Sequence, residues 1–224
     1  MAIHQTIAVV SSNMGEIDGE TEHTPQSMPA SYLTFTDKNF PPRYCSMSPR
    51  LQAKIPKCFG WQLAPNYDYY LWIDGTLRLS NSDSIKHYYD ACQGYDVVVL
   101  KHPTKDTVRW EYRYNHRGLH NNAPSNYLTE RYTNEWLDEQ YQVIKADKDY
   151  VDDTLVNGGI FMYRNTPEVQ NMLKEWWYHI SRYCIMDQMS WIYVLKNSGL
   201  KINILPEEFN NCPWLENRRH RIHG

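Results

Sequence analysis

Short apolar runs separated by amphipathic stretches define the pattern of this 224-residue chain. Runs rich in β-branched and aromatic residues predict strands. Tyr69–Ile73 is apolar at every position, so we expect it to form a central strand that is buried on both faces. The other predicted strands are Thr6–Val10, Tyr32–Thr36, Asp96–Leu100, Ile160–Tyr163 and Leu200–Leu205.

A helix is predicted to begin at Thr166-Pro167-Glu168, because a cap residue, a proline in the first turn and an acid near the positive dipole end all favour a helix start. From Val169 to Ile180, apolar residues recur with the i, i+3, i+4, i+7 spacing of one buried helix face. The other stretches predicted to be at least partly helical are 50–63, 82–92, 106–116, 130–145 and 187–196. Loops are predicted over 14–29, which we expect to be mobile, and over 116–127, which we expect to cover a site.

Strands and helices alternate along the chain, which predicts an α/β protein with a mostly parallel central sheet flanked by helices. A chain of this length fits one such domain over residues 1–224. We find no internal repeat and no low-complexity tract that would suggest another organisation.

Composition narrows the range of functions. Charge is nearly balanced, with 23 Lys and Arg against 26 Asp and Glu, which argues against a broad nucleic-acid surface. The 18 Tyr and 8 Trp are in excess, and such rings pack in cores but also line pockets for sugars and bases. The five cysteines are scattered without a C-x-x-C pair, so we expect free thiols in a reducing compartment. With no apolar run long enough to span a bilayer and no signal-peptide pattern, we expect a soluble, cytoplasmic protein or a domain of a larger one.

Polar residues stand where several predicted strands end or begin. Asp37 follows one strand, Asp74-Gly75-Thr76 follows the central strand, and Asn157-Gly158-Gly159 opens another. Because a parallel sheet gathers strand ends along one edge, we expect these groups to converge with Asp187-Gln188, which starts a helix. Asp74 is then placed to hold a divalent cation or a ribose hydroxyl, although aspartate and glycine are also common turn residues.

The order of these motifs resembles that of GT-A glycosyltransferases, which use nucleotide-sugar donors. The strongest likeness is to a poorly characterised glycosyltransferase-like group best known from plants. The residues that match its pattern, within 30–205, are Phe35-Thr36-Asp37, Lys54, Trp72-Ile73-Asp74-Gly75, His102-Pro103, Trp176-Trp177 and Asp187-Gln188-Met189-Ser190. More distantly, Asn157-Gly158-Gly159 resembles the sugar-binding Asn-x-Gly strand of the family that includes glycogenin and galactinol synthase.

The resemblance implies a GT-A fold with a nucleotide-binding half over 1–102 and an acceptor half over 103–224. It implies transfer of a hexose-type sugar from a UDP-sugar to a glycan or protein-linked acceptor. It also implies Mn²⁺ or Mg²⁺, a hard cation that takes oxygen ligands and stabilises the departing diphosphate. Asp74 would be a ligand, and His223 or alternatively His220 would complete the metal site. Thr76 stands where the Asp-x-Asp motif has its second carboxylate, so one ligand of that motif is missing.

The same resemblance implies roles for the remaining candidates. Asp187 would lie at the donor sugar, where a carboxylate accepts a proton from the attacking hydroxyl or stabilises an oxocarbenium-like centre. Gln188 would bind the same sugar. Structural roles stay open, with Asp187 as a helix cap, Lys54 as an exposed helix lysine and the histidines as a basic tail. The implied donor site consists of Asp37, Lys54, Asp74, Gly75, Thr76, Lys101, Asn157, Gly158 and Gly159.

Two other functions fit the sequence less well. A nucleotidyltransferase would be expected to have a Gly-rich phosphate loop after the first strand, and Ser11-Ser12-Asn13-Met14-Gly15 is a poor one. A non-catalytic carbohydrate-binding module would explain the aromatic excess, but many such modules are all-β. The glycosyltransferase interpretation is therefore the one that the sequence favours.

Overall fold

A computed structural model describes residues 5–121, 126–207 and 209–218. Its helices and strands alternate as expected for an α/β protein. The strands are β1 (Ile7–Asn13), β2 (Ser31–Thr36), β3 (Tyr69–Ile73), β4 (Leu77–Leu79), β5 (Val97–Lys101), β6 (Val156–Arg164), β7 (Ile202–Leu205) and β8 (Leu215–Asn217). The helices are α1 (Pro49–Leu63), α2 (Ser84–Ala91), α3 (Val108–His120), α4 (Asn126–Tyr132), α5 (Leu137–Ala146), α6 (Pro167–Arg182) and α7 (Asp187–Asn197), with 3-10 turns at Met14–Glu16 and Phe209–Asn211.

Six strands form the central sheet in the order β2-β1-β3-β6-β5-β7. β1 is parallel to both β2 and β3, and β5 is parallel to β7. β6 alone runs antiparallel to its neighbours β3 and β5. The predicted α/β class and mainly parallel sheet flanked by helices are therefore confirmed, and the architecture is consistent with a GT-A-like fold. Because β6 is reversed, its beginning lies at the same edge as the carboxyl end of β3.

Two apolar layers cover the sheet. Tyr70 and Trp72 of β3 belong to the layer under α1, α6 and α7, whereas Leu71 and Ile73 belong to the layer under α2. Every residue of β3 is buried, so the predicted central strand is confirmed. On α6 the predicted apolar stripe faces the sheet, and its Trp176 stacks on Trp191 of α7 with ring centroids 4.0 Å apart.

Three expectations about elements were wrong. The stretch 130–145 is two helices, α4 and α5, because Asn134 between them has a positive φ of 66° that a continuing helix does not allow. The expected loop at 116–127 is partly helical, since α3 continues to His120 and α4 begins at Asn126. Strands β4 and β8 were not predicted. Each has only three residues, too few to show a period, and they pair antiparallel with each other although they are far apart in the sequence.

The 14–29 segment, expected to be mobile, is held along the 74–82 segment by hydrogen bonds. Thr21 Oγ1 donates to the Gly75 carbonyl at 2.9 Å, and Thr24 N donates to the Leu79 carbonyl at 3.0 Å. Asn13 closes the start of the segment, because its side chain donates to the Asp18 carbonyl and accepts from the Asp18 amide. This segment therefore forms a fixed wall beside the end of β3.

The five cysteines are free, as predicted, and four of them are buried. Burial raises the pKa of the Cys58, Cys92 and Cys184 thiols, which keeps them protonated and unreactive near neutral pH. Among the residues described, none of the helices combines the length and apolar character that a bilayer crossing requires.

His179 on α6 makes stability depend on pH. The residue is 4% exposed, and burial lowers its pKa from 6.5 to about 4. Between these values the unfolded chain binds the proton and the folded chain does not, so stability rises with pH in that window. We expect the free energy of unfolding to be about 3 kcal/mol lower at pH 4 than at pH 7 through this residue. Urea unfolding between pH 4 and 7 measures it.

His179→Phe should remove this part of the pH dependence, because phenylalanine keeps an aromatic ring at the site without a titrating group. His120→Gln, at the exposed end of α3, is the control and should follow the wild-type curve. A His179→Phe variant with the wild-type slope between pH 4 and 6.5 would show that another group carries it.

Candidate active site

Asp74 lies directly after β3, at the carboxyl edge of the sheet. Its backbone N–H donates to the Gly159 carbonyl at 2.8 Å, which extends the β3–β6 pairing by one residue. Trp72 Nε1 donates to Asp74 Oδ1 at 2.7 Å, so the carboxylate is oriented from its own strand. The side chain of Asp74 is still 40% exposed and lines the cleft, so part of the carboxylate can contact a ligand there.

Gly75 lies in close contact with Asp18 and with the end of β1. A Cβ at this position would lie 2.6 Å from Asp18 Oδ2 and 3.2 Å from the Ser12 carbonyl oxygen. The sequence suggested a glycine for a sharp turn, but Gly75 does not adopt a positive φ. The glycine instead lets the 14–29 segment approach the end of β3. Next to it, the Thr76 carbonyl accepts the Arg218 N–H at 2.7 Å.

Asn157-Gly158-Gly159 forms an irregularity at the start of β6. The β5–β6 register shifts here, because Val99 faces Phe161 while Leu100 faces Asn157. Asn157 Oδ1 accepts the Gly159 N–H at 2.6 Å and fixes the local bend. A bulge of this kind turns backbone and side chains away from the regular ladder. Here it brings the glycine pair next to Asp74 and Asp187.

Asp187 is held by two lysines of α1. Its Oδ2 lies 2.6 Å from Lys54 Nζ and 2.6 Å from Lys57 Nζ. Lys57 Nζ also lies 3.2 Å from Asp74 Oδ1, so this one ammonium group bridges the two carboxylates. The other oxygen of Asp187, Oδ1, lies 3.6 Å from the place that a Cβ on Gly158 would occupy.

The charges of this cluster stabilise one another. Burial alone would raise the pKa of Asp187, but the ammonium groups of Lys54 and Lys57 outweigh it and hold the pKa below its usual range. Burial alone would lower the pKa of Lys57, but the attraction of Asp187 and Asp74 raises the pKa above its usual range. Asp187 and Lys57 are therefore both charged across the physiological range.

Lys57 is the most enclosed member of the cluster, with a side chain only 1% exposed. Its ammonium group lies 5.4 Å from the Trp72 ring centroid and 5.5 Å from that of Trp176. Trp176 Nε1 in turn donates to the Asp187 carbonyl at 3.1 Å. The two tryptophans thus position the charged groups that they enclose, and they do not form an open platform for a ligand.

A cleft of about 1260 Å³ opens over this cluster. It lies between the end of β3, the start of α7, the first turns of α1 and helix α4. Its walls include Ser12, Asn13, Asp18, Arg50, Lys54, Trp72, Asp74, Gly75, Thr76, Tyr127, Arg131, Tyr132, Asp187, Gln188 and Arg218. The predicted convergence of Asp74, Asp187 and Gln188 in one cleft is what the structure shows, with Asn157, Gly158 and Gly159 directly beside the two aspartates.

Five predicted residues that the structure describes do not line this cleft: Asn157, Gly158 and Gly159, which lie beside the aspartates, and Asp37 and Lys101, which are held elsewhere. Asp37 accepts the Gly15 N–H with both carboxylate oxygens, at 3.1 and 3.2 Å, and does not line the cleft. Lys101, half exposed at the end of β5, pairs with Asp106 at 3.3 Å and also lies outside the lining. The candidate metal ligands His220 and His223 fall outside the described residues.

The sequence singled out Lys54 but not its partners on the same helix face. Arg50, Lys54 and Lys57 recur at i, i+4 and i+7, the spacing that places basic side chains along one side of a helix. That spacing was the available signal for Lys57 and Arg50. No comparable signal existed for Arg131, since its position depends on the break between α4 and α5.

A divalent cation needs several oxygen or nitrogen ligands. Asp74 contributes one carboxylate, and its Oδ1 already accepts Trp72 and pairs with Lys57. Over the described part of the chain, no group of three or more His, Cys, Asp or Glu residues is arranged to hold a metal. Those residues alone do not make the donor set that the resemblance implied.

A charged cleft at the carboxyl edge of the sheet lies where open α/β proteins bind their ligands, so the fold and the cleft define the class of an α/β ligand-binding domain. Residues 43–220 match the family described as TOD1/MUCI70, glycosyltransferase-like domain. The chain belongs to this family, and the plant-type glycosyltransferase-like resemblance is confirmed at that level. No curated protein matches the sequence.

Among solved structures, the chain is similar to 4-diphosphocytidyl-2C-methyl-D-erythritol synthase from Anaerococcus prevotii. The identity is 12%, with 93% of this chain and 92% of that chain covered, and the TM-score is 0.45. A likeness this distant decides nothing about activity. The suggested link to the glycogenin family stays a prediction.

Proposed function

We propose that this domain transfers a hexose-type sugar from a nucleotide-diphosphate donor, a UDP-sugar, to a glycan or protein-linked acceptor. The observation that carries the proposal is the bridge from Asp74 through Lys57 to Asp187 at the floor of a cleft of about 1260 Å³. A floor of fixed charges at the carboxyl edge of an α/β sheet suits a polar, phosphorylated ligand. Membership of a glycosyltransferase-like family supports the same conclusion.

In this proposal, residues after β3 and at the start of β6 bind the donor. Asp74 Oδ2 accepts a ribose hydroxyl, and the backbone at Gly75 and Thr76 lies against the nucleotide. Asn157 and the glycine pair shape the sugar pocket, because a side chain at Gly158 would project toward Asp187 Oδ1. The cleft draws on both proposed halves, 1–102 and 103–224.

Asp187 and Gln188 act at the reacting sugar. The bond from the anomeric carbon to the diphosphate oxygen breaks, and its electron pair stays on the diphosphate. The acceptor hydroxyl oxygen bonds to that carbon, and its proton is released. Because the pKa of Asp187 is held low, the carboxylate is a weak proton acceptor. Its fixed negative charge is better suited to stabilising the positive charge that develops on the sugar.

A divalent cation bound by Asp74 with His223 or His220 would supply Lewis-acid stabilisation of the diphosphate. Manganese therefore belongs in the assays, with a chelator as the matched condition.

Thermal unfolding with UDP, UDP-sugars, CTP and neutral oligosaccharides tests the proposal. A ligand at 100 times its Kd adds about 2.7 kcal/mol of stability, which for a chain of this size raises Tm by about 5–10 °C. We expect UDP or a UDP-sugar to produce this shift and Asp74→Asn to reduce it to less than half. Asp90→Asn, which loses only a surface pair with Lys86, is the control and should respond like wild type.

Two outcomes would contradict the proposal. A shift with CTP but not with UDP or UDP-sugars would favour a nucleotidyltransferase. A shift with oligosaccharides and none with any nucleotide would favour a carbohydrate-binding module. Consumption of UDP-sugar with release of UDP, followed by chromatography, then measures transfer itself.

A further inference from the structure

The cations of the cleft fall into two groups. Lys54 and Lys57 are neutralised by the carboxylates of Asp187 and Asp74. Arg50, Arg131 and Arg218 also line the cleft, and none of the three forms an ion pair with a residue in the described ranges. Arg218 donates to the Glu20 carbonyl at 3.4 Å. Within those ranges Arg50 and Arg131 are not paired with a carboxylate, whereas the two lysines are.

Arg131 is the more constrained of the two. Its guanidinium carbon lies 3.9 Å from the Tyr127 ring centroid, so the planar group is held by stacking. Its Nε and Nη2 are buried, and neither finds a hydrogen-bond acceptor in the part of the chain that is described. Buried charged donors without an acceptor are costly, and an anionic ligand that accepts from them removes that cost.

Arg50 projects from the first turn of α1 into the same space. Burial lowers the pKa of Arg50, and the positive charge of Arg131 lowers it further, while Tyr132, Tyr127 and the Asp18 carboxylate oppose the shift. Both guanidinium groups belong to residues that line the same cleft. Like charges held together in a partly buried cleft form a site that favours an anion. The cleft also contains carboxylates, among them Asp18 and Glu130, so its affinity should be for a ligand that reaches the arginines themselves.

We propose that Arg50 and Arg131 bind the diphosphate of the nucleotide-sugar donor and neutralise the leaving group without requiring a divalent cation. This inference rests on the proposed function. Guanidinium groups match the geometry of phosphate oxygens and donate two hydrogen bonds each. Thr76 stands where the Asp-x-Asp motif has its second carboxylate, so one ligand for a metal is missing. In this proposal the two arginines supply the positive charge that such a metal would have brought to the diphosphate.

Calorimetric titration of inorganic pyrophosphate, UDP and uridine in the presence of EDTA tests this inference. We expect wild type to bind pyrophosphate and UDP, and Arg131→Gln or Arg50→Gln to weaken both about tenfold to 100-fold, the usual loss of a hydrogen bond to a charged group. Arg131→Lys, which keeps the charge but not the fork, should fall between. Arg113→Gln, on the exposed face of α3 and outside the cleft, is the matched control.

Stability separates a binding role from a structural one. The buried donors of Arg131 have no hydrogen-bond partner among the described residues, and its charge opposes that of Arg50. Removing this charge should not cost stability, so we expect Arg131→Gln to unfold at or above the wild-type temperature. A lower Tm with unchanged pyrophosphate affinity would mean that Arg131 supports the fold only. That result overturns the inference.

The inference also fails if wild type binds pyrophosphate only when manganese is added, or if the arginine variants bind UDP as tightly as wild type. In either case the inference is wrong, but the proposed function is still supported if the protein consumes a UDP-sugar. If wild type binds neither UDP nor any UDP-sugar, with or without manganese, both the inference and the proposed function fail.

Discussion

Lys57→Met is expected to destabilise the protein by about 3 kcal/mol, near the low end of the cost of breaking a buried ion pair. Methionine fills a similar volume between Trp72 and Trp176, so little packing is lost. The charge is lost, which leaves Asp74 and Asp187 close together without the ammonium group that bridges them. The cost stays at the low end because Asp187 keeps Lys54 and Asp74 is 40% exposed. For a chain of this size Tm should fall by about 6–12 °C.

Lys54→Met is the matched control on the same helix. Its side chain is 20% exposed, and without it Asp187 still has Lys57, so we expect a loss of about 1 kcal/mol or less. Denaturant unfolding of the three proteins at pH 7 makes the comparison. The Lys57→Met penalty should shrink below pH 4, because the low pKa of Asp187 depends partly on Lys57 and the variant protonates Asp187 more readily there. A Lys57→Met variant within 1 kcal/mol of wild type would show that the bridge does not stabilise the fold.

Local pattern was enough to predict the central strand β3 and the helix α6. A five-residue apolar run such as Tyr69–Ile73 and the capped start at Thr166-Pro167-Glu168 each contain their own evidence. The sequence also predicted that Asp74 and Asn157 lie close together, but the reason given, a parallel sheet that gathers strand ends, was incomplete. A parallel sheet does not bring the beginning of one strand next to the end of another, and only the reversal of β6 does so.

The details of the site depend on contacts between distant segments, which no local pattern encodes. Asp187 starts a helix and was open to explanation as its cap, yet it makes no capping hydrogen bond and instead binds lysines more than 120 residues earlier. Gly75 is in close contact with Asp18, which lies 57 positions earlier in the chain. Arg131 lines the cleft from the last turn of α4, a helix that was predicted to be continuous with α5.

These contacts distinguish the duties of the two aspartates. Asp74 is 40% exposed where it lines the cleft, whereas Asp187 is enclosed, and its Oδ1 lies near Gly158. Substituting them should therefore affect different measurements, donor affinity for Asp74 and the rate of transfer for Asp187. Both aspartates contact Lys57, so that contact cannot distinguish them. The difference in expected effect comes from their burial and orientation.

Asp187→Asn is expected to lower kcat for transfer by about 10²- to 10³-fold, the usual cost of removing one electrostatic stabiliser of a transition state. Asparagine preserves the shape of the side chain but cannot offer a negative charge to the developing positive charge on the sugar. UDP affinity should change by less than about threefold, because in the proposed function the residues after β3, and not Asp187, bind the nucleotide. Initial rates over a range of UDP-sugar concentrations separate the two effects.

Asp153→Asn is the control, since Asp153 pairs with Lys196 at the surface and is not among the residues that line the cleft. It should keep wild-type kcat and KM. Both variants must be assayed well below their Tm, because Asp187→Asn also removes one partner of two lysines. A folded Asp187→Asn protein that retains more than half of the wild-type kcat would remove Asp187 from the reacting centre. If instead KM rises while kcat stays constant, Asp187 binds the donor sugar in its ground state, and the charge on the sugar is stabilised by another group.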